Sequence, residues 1–149
     1  MSALSRRLTW VPPEGIRLPG GTQVPADAAR LRQALHFPAD GRSTPRRVGF
    51  TTGVAFGTWG LAAEDVERLT LLARELTEHI TAQAVSDRVI VVSDYADGHA
   101  TITVIALQGY ACGDLDPCGL THVETHDETG AAQHGMGPSA YVRVRAVRL

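Results

Sequence analysis

Apolar residues recur at three- and four-residue steps from Val66 through Leu69, Leu72 and Leu76 to Ile80, a stripe that predicts one long amphipathic helix over residues 63 to 84. Glu64, Asp65 and Glu67 fall in its first turn, where negative charge suits the helix dipole. Such a stripe needs a partner layer, and the next segment supplies it. Arg88-Val-Ile-Val-Val and Ala100-Thr-Ile-Thr-Val-Ile-Ala are β-rich runs joined through Asp97-Gly98, a strong hairpin signal, so two adjacent antiparallel strands are expected. Ala140-Tyr-Val-Arg-Val-Arg-Ala-Val alternates apolar and polar residues and predicts a half-buried final strand.

Upstream, Ser43 or Thr44 followed by Pro45 predicts a helix start, with the hydroxyl capping free N–H groups and proline in the first turn. Gly60 after Trp59 predicts its end. Inside this helix Gly49, Gly53 and Gly57 recur every four residues, although each costs about 1 kcal/mol relative to Ala. Two readings fit: close packing on the chain's own sheet or a neighbouring helix, or a protein–protein contact face. Leu35-His36-Phe37, ended by Pro38 and the turn Ala39-Asp40-Gly41, reads as a first edge strand, although residues 28 to 35 equally suit a helix. Pro12, Pro13, Pro19 and Pro25 with Gly15, Gly20 and Gly21 make residues 1 to 30 an irregular extension, leaving 31 to 149 as the domain. Residues 109 to 138 hold six glycines and little periodicity, which predicts a loop of unusual length and hence a functional segment.

With 149 residues, one hydrophobic core is the working expectation. The net charge of -2 and the absence of any basic stripe speak against nucleic acid and anionic membranes as partners. No stretch is long and apolar enough to span a bilayer, and the N-terminus lacks the apolar core of a signal peptide, so a cytoplasmic protein is expected. Cys112 and Cys118 are too few for a disulfide scaffold.

The order of helix, long helix, hairpin, glycine-rich loop and last strand resembles the small anti-sigma-factor kinases and related actinobacterial regulators of the histidine-kinase-like ATPase superfamily. Phe37-Pro38-Ala39-Asp40 looks like the opening of such proteins, Trp59-Gly60-Leu61 like the end of their first helix, and Leu72-Ala-Arg-Glu75-Leu-Thr like the start of their magnesium-binding helix. The likeness covers roughly residues 35 to 147. It implies an α+β fold, a two-layer α/β sandwich with a mainly antiparallel sheet covered on one face by helices.

The resemblance also implies a site, and each of its motifs departs from the family pattern. Glu75 matches the general base, but His79 stands where an Asn would help hold magnesium, and magnesium prefers oxygen donors. The adenine-binding Asp-x-Gly-x-Gly string corresponds to Leu107-Gln108-Gly109-Tyr110-Ala111, in which leucine offers no hydrogen bond to an adenine amine. The phosphate-covering loop corresponds to Pro117-Cys118-Gly119-Leu120, with one glycine, Gly119, of the usual set. ATP with magnesium is therefore not expected to be turned over, and no cofactor is expected.

Cys112, Cys118, His122 and His126, spaced C-x5-C-x3-H-x3-H, are rival candidates as zinc ligands, and a Cys112–Cys118 redox pair is a further one. His79 is a candidate metal ligand as well. Structural zinc sites usually open with closer cysteines, so the alternative is a solvated lid with two incidental thiols. Three functions follow. The first is a non-catalytic regulatory or scaffold protein that binds a protein partner or its own second copy. The second is an enzyme or small-molecule-binding protein reusing the old pocket through Glu75 and His79. The third is an active ATP-dependent serine kinase.

Overall fold

The computed structural model describes residues 30–149, so all of the proline- and glycine-rich extension except Arg30 lies outside the described residues. The described chain is α+β. Five antiparallel strands form one sheet in the order β1 (Leu31–Pro38), β3 (Arg88–Ala96), β4 (His99–Ala106), β7 (Gly137–Arg145), β6 (Glu128–His134). A two-stranded ribbon pairs β2 (Ala84–Val85) with β5 (Tyr110–Ala111). Two helices, α1 (Thr44–Thr58) and α2 (Ala63–Gln83), pack on one face of the large sheet, giving the two-layer sandwich. Neither is long and apolar enough to cross a membrane.

The stripe along α2 is the centre of the core. Leu69, Leu72, Leu76 and Ile80 are buried, joined by Ala73 and Thr77, against Val89, Val91, Ile102, Val104, Val142 and Val144 of the sheet. Each fully buried Leu or Ile contributes roughly 1.5–3 kcal/mol relative to an exposed one. Asp97 and Gly98 both take positive φ, 53° and 76°, as the tight hairpin between β3 and β4 requires.

Residues 31 to 35 are strand, not helix. Leu31, Leu35 and Phe37 share the core face at a two-residue period, and Leu31 pairs with Tyr95 at the far end of the β3 ladder. The start of α1 differs from expectation too: Ser43 is already helical and its hydroxyl makes no cap, while Thr44 Oγ1 donates instead to Pro38 O at 2.8 Å. Its end is as expected. Gly60, at φ 90°, allows Leu61 N–H to reach Phe56 O and Gly60 N–H to reach Gly57 O, the paired bonds of a Schellman stop.

The expected long loop from 109 to 138 holds two strands, β5 and β6, and the first two residues of β7. β6 reads Glu-Thr-Gly-Ala-Ala-Gln-His, without the β-branched run that marks a strand, and its ladder with β7 supplies what propensity does not. Gly130 sits beneath the Tyr141 ring, where a Cβ would come within 2.6 Å of Cε1.

Gly49 and Gly53 pack against α2 and do not form an outward contact face. A Cβ on Gly49 would stand 3.0 Å from Thr70 O, and one on Gly53 would collide with Thr70 Oγ1, so these glycines let the two helices approach closely. Gly57 meets nothing within 4 Å.

Candidate functional site

Arg68, Glu75, His79 and Gln83 lie at steps of seven, four and four residues, one side of α2 beside the buried stripe. The irregular chain between β5 and β6 runs back along that side. Cys112 and Gly113 donate their N–H groups to Gln83 O at 2.8 and 3.1 Å. Midway, Glu75 takes Thr121 N–H on Oε2 at 3.1 Å and His122 N–H on Oε1 at 2.9 Å. At the N-terminal end, Arg68 pairs with Asp127, whose side chain is fully buried, and reaches Glu124 at 3.4 Å. Leu115, Leu120 and Val123 turn down from this chain onto the core.

Glu75 is therefore an acceptor for the loop's backbone. His122 Nδ1 also lies 3.0 Å from Oε1, but without the angle of a hydrogen bond. Burial pushes the Glu75 carboxyl up, but the His122 N–H, the His122 ring and Thr121 outweigh it, so its pKa falls below the ordinary value. A carboxylate with a lowered pKa and two N–H bonds is a poor proton acceptor. The Nε2 of His79, one turn on, is buried and makes no hydrogen bond.

Leu107 and Gln108 stand away from the helix-side cleft. β4 ends at Ala106, which faces the helices, so Leu107 falls on the other face of the sheet with Ile105 and Met136. Gln108 is exposed in a tight turn at φ 53°, its N–H bound to Met136 O. Gly109 has a packing reason, since a Cβ there would collide with Val85 O beneath the small ribbon. Gly119 meets nothing within 4 Å.

A cleft of about 250 Å³ remains at the C-terminal end of α2, lined by Asp40, Ile80, Thr81, Val85, Ser86 and Ala106 among others. It falls below the roughly 300–1,000 Å³ of ordinary ligand pockets.

The zinc candidates are dispersed: Cys112 and Cys118 are exposed free thiols, His122 turns to Glu75, and His126 turns to Glu124 at 3.5 Å. Among the described residues, no group of three or more His, Cys, Asp or Glu is arranged to hold a metal ion. Here His122 and His126 lie in irregular chain and not on a helix.

Sequence reasoning marked Glu75 but missed its partner, and it missed Arg68 altogether. The signal was present, because two charges seven residues apart beside an apolar stripe ask for counter-groups. Also unanticipated is an apolar patch on α1. Phe50 is 69% exposed and Val54 52%, one turn apart, beside a hollow lined by Phe37, Arg46, Arg47 and Thr51. The Arg47 guanidinium lies over the Phe37 ring, 5.6 Å from its centroid.

No protein-family model matches this chain, and no curated protein matches it.

Proposed function

We propose that this chain is a non-catalytic regulatory or scaffold protein, a histidine-kinase-like ATPase fold turned to protein–protein binding. The observation that carries the reading is the engagement of Glu75: the residue placed to activate a nucleophile holds the loop backbone at Thr121 and His122. The resemblance would put a nucleotide and its magnesium beside Glu75 and His79, and the loop lies along that side of α2 at Glu75. The exposed Phe50 and Val54, rimmed by Arg46 and Arg47, support a protein partner or a second copy as the target, since interfaces favour aromatic and arginine anchors.

Calorimetric titration with ATP and Mg²⁺ tests it. The expected result is no saturable binding tighter than about 1 mM, which corresponds to about -4 kcal/mol. Tighter binding that is weakened by Glu75→Ala or His79→Ala would restore the kinase reading.

A further inference from the structure

We propose that the outward side of α1 docks an acidic segment of a partner protein, one bulky apolar side chain of which enters the hollow beside Phe37. This partner assignment rests on the protein-binding role proposed above. α1 carries no acidic residue. Its Val48, Thr52, Ala55 and Phe56 are buried, and Gly49 and Gly53 face α2. Arg46, Phe50 and Val54 follow one another at four-residue steps on the side that is left, and Arg47 is three residues before Phe50. All four side chains are exposed.

The hollow formed by Phe37, Arg46, Arg47, Phe50 and Thr51 measures about 380 Å³, within the roughly 300–1,000 Å³ of ordinary binding pockets. Phe37 and Phe50 give it apolar walls, and the two arginines stand at its rim. The Arg47 guanidinium is held in place by the Phe37 ring beneath it.

Charge decides the occupant. The chain as a whole carries -2, yet Arg42, Arg46 and Arg47 cluster at the start of α1, and none of them makes a salt bridge among the described residues. The acid nearest to them in the chain, Asp40, lines the other cleft, at the end of α2. Arg46 and Arg47 also sit in the opening turn, where the helix dipole favours acids, so their charge does not serve the helix. Carboxylates from outside supply what the chain leaves unpaired, and arginine pairs with them through two N–H groups at once. A second copy meeting this face across a two-fold axis would set the arginines against their own counterparts. An anionic bilayer offers charge but no side chain for the hollow.

Fluorescence anisotropy with the full chain provides the test. The probe is a fluorescein-labelled peptide in which a central phenylalanine–leucine pair is flanked on both sides by glutamates. Saturable binding is expected, weakened at least about tenfold by the double variant Arg46→Glu/Arg47→Glu and equally by Phe50→Ser. It is also expected to weaken between about 0.1 M and 1 M salt, as the screening length falls from ~10 Å to ~3 Å. Arg145→Glu, the same charge change on β7, is expected to leave binding as it was. All these side chains are exposed, so the variants keep the core intact. Absence of saturable binding overturns the proposal, as does binding that the α1 variants leave unchanged. Equal or tighter binding of the peptide with lysines in place of the glutamates overturns it too. Dimerisation abolished by Phe50→Ser would give the face to a second copy, and sedimentation with phosphatidylserine vesicles abolished by it would give the face to a membrane; either overturns the acidic partner. Each of these failures leaves the non-catalytic role standing, because that role falls only to tight binding of ATP and Mg²⁺.

Discussion

Replacing Glu75 by Gln keeps the side chain's length and removes its charge, which isolates what the carboxylate does for the loop. The carboxylate accepts two N–H bonds, from His122 at 2.9 Å and Thr121 at 3.1 Å, one on each oxygen. Glutamine offers one acceptor and sets its NH₂ against the other N–H, so one bond is lost and the other loses its charge. A hydrogen bond to a charged group contributes about 1.5–3 kcal/mol, and Glu75 is 20% exposed, so a loss of about 2 kcal/mol is expected for the segment. Since 1.4 kcal/mol is a factor of ten, amide hydrogen exchange at Thr121 and His122 should quicken by roughly thirtyfold, with little change in the strands beneath. Acid should act in the same direction. With the carboxyl held below its ordinary value of 4.5, the clamp is complete above that pH and is lost as pH falls through the lowered value. Exchange at Thr121 and His122 that is unchanged in Glu75→Gln would show that the carboxylate does not hold the loop, and the main support for a non-catalytic role would go with it.

Three further perturbations test other parts of the structure. Arg68→Ala leaves the Asp127 carboxylate buried without its cation; a broken buried pair costs about 3–5 kcal/mol, and with Arg68 22% exposed the lower end is expected in urea denaturation. Gly53→Ala is expected to destabilise by about 1–3 kcal/mol through its collision with Thr70, an effect relieved by Thr70→Ala, while Gly57→Ala, with open space around it, should raise the melting temperature. Tyr141 donates to Glu128 at 2.8 Å, and that bond, with burial, raises its pKa above 10.0; in Glu128→Gln, spectrophotometric titration should find it lower.

How far the sequence revealed the fold depends on how local each signal was. α2 announced itself because Leu69, Leu72, Leu76 and Ile80 carry a period that only a helix can bury on one side, and Asp97-Gly98 encodes its turn in two residues. β6 was invisible because its residues have no strand preference and are held by β7, a long-range fact. The candidate site divided the same way. Glu75 and His79 could be placed on one face by helical spacing alone, but which groups Glu75 meets depends on a loop whose path no period records. Leu107 shows the hazard of one-residue register. A string comparison put it in the cleft, whereas strand alternation, which gives the cleft to Ala106, puts it on the far side of the sheet.

The attachments at Arg68 and Glu75 are two helical turns apart on a rigid rod, a separation of about 10 Å. With the Gln83 carbonyl holding Cys112 and Gly113 as a third berth on the same quay, the segment does not swing when a single rope is cast off. Any visitor to the face of α2 beneath it must loosen neighbouring moorings together, so access would come as one concerted, rare event, governed by acidity at the middle and by a buried ion pair at one end.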